Sequence, residues 1–182
     1  SPFARYDGGS DDRNGDRHYW NVWHSKEPIN SYNKARSRFF SEYGFQSFPE
    51  FESVKRYAPY PEDWDIYSEV MMSHQRGGAH ANGLIETYLL NEYRQPKDFE
   101  AFLYMNHVLQ GDAIKTAIEA HRRDMPYCMG TLFWQHNDCW PVASWASRDY
   151  YGRWKAQHYF ARQAYRDLLV SPIADEEGML NI

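Results

Sequence analysis

Apolar and polar positions along the chain divide it into short aromatic runs separated by stretches of helical periodicity. HYWNVWH, residues 18–24, is rich in strand-forming aromatics and predicts a strand. Ser25 to Ser37 is polar and contains Pro28, which predicts a loop or short helix. RFFSEYGF, residues 38–45, predicts a second strand, closed by Pro49, and PEFESVKRYA then has the Pro and Glu of a first helical turn. Residues 62–75 and 84–93 read as helices separated by RGGAHANG. From Lys97 to Arg123 the period is clearest: Phe99, Phe102, Leu103, Leu109, Ala113, Ile114 and Ala117 fall on one arc of roughly 140° at about 100° per residue. Gly111 interrupts that helix at a cost of about 1 kcal/mol, which a packed face can override.

YCMGTLFW, residues 127–134, is a nearly continuous apolar run of the kind buried on both faces of a parallel sheet. A loop rich in Trp and Pro follows, then a helix from about Trp154 to Leu168. Residues 1–16 read as irregular, the acidic triplet 175–177 as a solvated turn, and the tail from Val170 as the opening of a new β element. The alternation is that of an α/β fold with a parallel sheet or barrel. Three candidate strands cannot close a barrel, and a parallel sheet so small leaves two naked edges. The chain therefore reads as part of a larger fold.

Composition narrows the chemistry. A formal net charge of −5 argues against a nucleic-acid partner. No apolar window reaches the length of a membrane span, and the N-terminus lacks the layout of a signal peptide. Cys128 and Cys139 fit neither a disulfide framework nor a zinc spacing, and the eight histidines lack metal-site pairing, so no metal or cofactor is expected. Aromatic residues make up 18% of the chain, a content that serves large cores and also stacks on the apolar faces of sugar rings.

Glu42 is the residue that demands an explanation. Strand alternation puts it on one face with Arg38, Phe40 and Gly44, and leaves Phe39, Ser41 and Tyr43 on the other. Arg38 lies roughly 13 Å back along that strand and cannot pair with it. Gly44 allows a sharp turn just after the carboxylate. A carboxylate at the C-terminal end of a strand is where barrel enzymes keep their catalytic groups. In GTLFWQHNDCWP, residues 130–141, Trp134 at a strand mouth precedes hydrogen-bonding side chains, which suits either a stacking platform or a core tryptophan above a solvated turn.

SEYGFQSFP, GDRHYW and GTLFWQHNDCWPVASWASRDYYGRWKAQHYFA together resemble the β-mannosidases of glycoside hydrolase family 2, from Ser1 to about Leu169. The resemblance implies a retaining exo-glycosidase for terminal β-linked mannose, whose catalytic domain is a (β/α)8 TIM barrel flanked by β-sandwiches. It makes residues 1–169 the C-terminal portion of that barrel, about strands six to eight, and 170–182 the start of a following β-sandwich domain or linker. Glu42 becomes the nucleophile at the end of strand seven. His18, Tyr19 and Trp20 lie near the sugar on strand six, with Tyr19 hydrogen-bonding the nucleophile. Trp134 forms part of the mannose floor on strand eight, with Asp138 and Trp140 as weaker candidates. The family's acid/base glutamate follows an asparagine upstream of the nucleophile. The pair Asn91-Glu92 lies downstream in a helical segment and is not that residue. The partners implied are a carbohydrate substrate and the rest of the same enzyme, with neither nucleic acid nor membrane. Two alternatives stay open: a family member for another sugar, and a non-catalytic carbohydrate-binding relic.

Overall fold

The structure is a computed structural model and describes residues 15–174 and 178–181. The readings made for residues 1–14 and 175–177 lie outside the described residues. Strand β1 (Arg17–His18) pairs in parallel with β2 (Phe40–Glu42), and Phe40 also bridges in parallel to Thr131. β2 is therefore the middle of three parallel segments. On one side Arg17 N donates to Phe39 O and Tyr19 N to Glu42 O. On the other, Phe40 N donates to Gly130 O, Leu132 N to Phe40 O and Trp134 N to Tyr43 O.

The register slips between Arg17 and His18, whose partners are Phe40 and Glu42, so Ser41 is the extra residue of a bulge. This overturns the expected alternation. Phe40 stacks on His121 with ring centroids 3.7 Å apart, and Tyr43 meets the same imidazole edge-on at 5.0 Å. Both therefore point at the covering helices, and Glu42 does not share a face with Phe40.

The strand expected over residues 18–24 is only two residues long. After Tyr19 makes the last ladder bond, the chain closes into helix α1 (Asn21–His24), which buries Val22 and Trp23. Ile29–Asn33 forms a 3-10 turn, and α2 (Phe51–Val54) follows β2. The helix expected over residues 62–75 is broken into a 3-10 turn at Pro61–Asp63 and α3 (Glu69–Ser73). Two local side-chain bonds break it: Asp65 accepts from Tyr67 N, and Ser68 caps α3 by accepting from Met71 N. Helix α4 (Ala81–Glu92) and helix α5 (Phe99–Arg123) form as expected, and Asp98 caps α5 by accepting from Ala101 N. The last helix, α6 (Ala156–Ala164), is shorter than expected, and β3 (Ile173–Ala174) pairs with β4 (Leu180–Asn181) in an antiparallel hairpin.

The expected arc of α5 is buried, except for the half-exposed Phe99 at its start. Gly111 is there for space: a Cβ would lie 2.8 Å from the ring of Phe160 on α6. Beside the apolar arc runs a buried polar stripe, Asn106, His107 and Gln110, which reads the backbone beyond β2. Asn106 Oδ1 accepts from Phe48 N, His107 Nε2 donates to Phe48 O, and Gln110 Nε2 donates to Phe45 O.

His107 and His121 are both held neutral. Burial is the leading cause, pushing His107 down to about 4, helped by Lys155, and His121 down to about 3, helped by Arg123. The unfolded chain takes up a proton at each near pH 6.5, and the fold does not. Stability is therefore complete above that pH and is lost as pH falls toward those lower values. Urea unfolding of the intact protein should lose about 2 kcal/mol per histidine between pH 7 and pH 5. His107→Gln, which keeps a donor for Phe48 O, should remove its share of that dependence.

Candidate active site

Glu42 ends β2, and its side chain is 29% exposed, so the carboxylate is neither sealed in the core nor free in solvent. One oxygen carries its contacts. Trp20 Nε1 donates to Oε2 at 3.2 Å, and His18 Nδ1 lies 3.3 Å from the same oxygen. The far nitrogen of the imidazole, Nε2, is 3.9 Å from Asp16 Oδ2, and Asp16 also accepts from Ser41 Oγ. The register slip brings these groups together, because it sets His18 opposite Glu42.

Trp134 stands at the end of the neighbouring parallel segment and is 39% exposed, which leaves an indole surface open beside the carboxylate's strand. Trp145 closes the arrangement, with its ring centroid 6.0 Å from that of Trp20 in an edge-on contact. Its flanking sequence, ASWAS, gives no periodic signal, and reading by pattern missed it.

Two expected site residues lie elsewhere. Tyr19 does not reach Glu42: it is 4% exposed and its hydroxyl donates to Glu27 Oε2 at 2.8 Å. Successive residues alternate sides, so placing His18 and Trp20 toward Glu42 turns Tyr19 into the core. There it packs against Tyr32 and Phe40. Asp138 is also buried, at 5% exposure, where it accepts from Ser144 Oγ at 2.7 Å, and burial raises its carboxyl above the usual range. It belongs with Lys155, whose ammonium donates to Ser47 O and Ser144 O and which burial pushes down to about 8. Trp140 leans over His74, which stacks on Tyr57. Glu92 is the exposed last residue of α4. Among the described residues, no group of three or more His, Cys, Asp or Glu could hold a metal ion, and no helix is long and apolar enough to cross a membrane.

A test separates the buried carboxylate from the partly exposed one. Asp138→Ala leaves Ser144 Oγ without its acceptor and should cost about 1–3 kcal/mol in chemical unfolding of the intact protein. The Trp20 indole N–H resonance, which reports the Glu42 contact, should stay in place.

No family model matches the chain. It is 35% identical to β-mannosidase B of Aspergillus niger over 154 residues, covering 82% of this chain and 18% of that protein. With β-mannosidase B of Emericella nidulans it shares 33% identity over 165 residues, 88% of this chain and 20% of that protein. Among solved structures, the β-D-mannosidase of Dictyoglomus thermophilum superimposes with a TM-score of 0.86 at 33% identity. That match covers 91% of this chain and 20% of that one. The chain thus spans about one fifth of the length of these relatives. On sequence and on fold alike, it belongs with the β-mannosidases, as a homologue of one segment of them.

Proposed function

We propose that the chain is the nucleophile-bearing part of a retaining β-mannosidase that releases terminal β-linked mannose. In this reading the three parallel segments are strands six, seven and eight of a (β/α)8 barrel. The chain up to residue 169 belongs to that barrel, and the remainder opens the next domain. The observation that carries the proposal is the state of Glu42: a partly exposed carboxylate at the end of the central parallel segment, with two ring nitrogens on the same oxygen.

That asymmetry suits the chemistry. The contacts from Trp20 and His18 both fall on Oε2 and leave Oε1 for the attack. Oε1, which faces neither Trp20 nor His18, attacks the anomeric carbon as the bond to the leaving group breaks. The leaving oxygen takes its proton from a carboxylic acid about 5–5.5 Å from the nucleophile. The same group then draws a proton from the water that cleaves the glycosyl–enzyme bond. We assign that acid to residues outside this sequence, since Glu92 sits exposed at a helix end. The open indole of Trp134 provides an apolar face for the sugar ring while the anomeric carbon flattens.

Hydrolysis of an aryl β-mannoside by the intact protein tests the assignment. Glu42→Gln should lower kcat by more than about 10³-fold, and a 2-fluoro mannosyl label should attach to Glu42. Unchanged turnover in that variant would sink the reading, and so would hydrolysis by the 182-residue chain alone.

A further inference from the structure

The residue two positions beyond Glu42 shows how its donor is held. Gly44 does not have the positive φ that favours glycine, so conformational freedom is not the reason for it. Space is the reason. A Cβ on Gly44 would lie 2.5 Å from the carbonyl oxygen of Trp134, 3.0 Å from Cδ1 of Trp145 and 3.0 Å from Cη2 of Trp20. Three tryptophans from three separate segments close over a single missing methyl group.

The three walls differ in their freedom to retreat. The Trp134 carbonyl is backbone and is held on both sides: Trp134 N donates to Tyr43 O, and Gln135 N donates to Trp145 O. Trp145 is wedged edge-on against Trp23, which is 1% exposed. Trp20 is half-buried, with its outer flank against His24, and is the wall that can move. Its six-membered ring faces Gly44 while its Nε1 faces Glu42. A side chain at position 44 would press on one end of the indole and, against the fixed Trp134 carbonyl, on its own strand, displacing the donor at the other end of the indole relative to Oε2.

We propose that Gly44 is a positioning residue: by carrying no Cβ it lets the three tryptophans close so that Trp20 Nε1 rests on Glu42. This rests on the reading of Glu42 as nucleophile. In the intact protein, Gly44→Ala should lower kcat on an aryl β-mannoside by about tenfold to a hundredfold, with KM changing far less. Trp20→Phe, which keeps the ring and loses the donor, should give a similar loss. The double variant should be no worse than either single one, because both act on one contact.

The indole N–H resonance of Trp20 provides a readout independent of turnover: Gly44→Ala should move it in the same direction as Glu42→Gln does. If Gly44→Ala does not accumulate as folded protein, Trp145→Leu loosens the same clasp from another side, and its kcat loss should likewise vanish in a Trp20→Phe background. Wild-type kinetics in the position-44 variant, or losses that multiply fully with Trp20→Phe, would overturn the proposal while Glu42→Gln stays inactive. An active Glu42→Gln would instead remove the reading beneath it.

Discussion

Gln110, in the middle of α5, donates Nε2 to Phe45 O at 2.8 Å and accepts from Ser47 Oγ at 2.7 Å, and this connection ties the segment just after Glu42 to the helix. Past Tyr43, whose carbonyl accepts from Trp134 N, the chain leaves the parallel ladder. Its buried backbone groups still need partners, because an unpaired one costs about 1–3 kcal/mol. The polar stripe of α5 and the antiparallel bridge between Ser47 and Ser144 supply them. Lys155, itself buried, adds a charged donor to the carbonyls of both serines. Residues 45–48 are thereby fixed to a helix and to the loop after residue 134. Glu42 cannot shift along its strand without breaking several buried hydrogen bonds at once.

How much of this was legible in the sequence depends on whether a feature is periodic. The apolar face of α5 recurs at helical spacing and was readable residue by residue, and a carboxylate placed between an aromatic run and Pro49 marked the end of a strand. The polar stripe was not readable in the same way. Asn106, His107 and Gln110 look like solvated helix positions until the partner backbone is known. The break at residues 63–68 came from side chains bonding their own backbone, which a composition-based helix reading does not weigh. Whether Tyr19 or its neighbours face Glu42 depends on a register slip of one residue. Alternation alone inverts every side chain when a bulge intervenes.

Asp138 shows the opposite limit. Its sequence context, a polar run after an exposed tryptophan, is the same for a sugar-reading loop and for a buried tie. What separates the two is Ser144, six residues on, whose hydroxyl turns the carboxylate inward beside Lys155. Nothing in the local sequence says that a lysine seventeen positions away is buried. Such a cluster exists only once the loop has folded, because each charge is tolerable inside only when the others are present.

The aromatic content finds its explanation in the glycines. Gly44 faces indoles from Trp20 and Trp145, Gly111 lies against Phe160, and a Cβ on Gly130 would run into the ring of Phe39. Each marks a place where a ring meets backbone directly, and at two of them that backbone belongs to the parallel ladder or its immediate continuation. Large rings bury much area, and where one lies directly on backbone a close-packed interior leaves no room for a Cβ. Gly44 and Gly130 sit on the central segment and its neighbour, and at Gly44 the indoles of Trp20 and Trp145 close at the end of β2. The packing that fills the core therefore also sets the indole donor of Trp20 against Glu42. A chain with fewer aromatics could build the same ladder, but it would have to hold that carboxylate by other means.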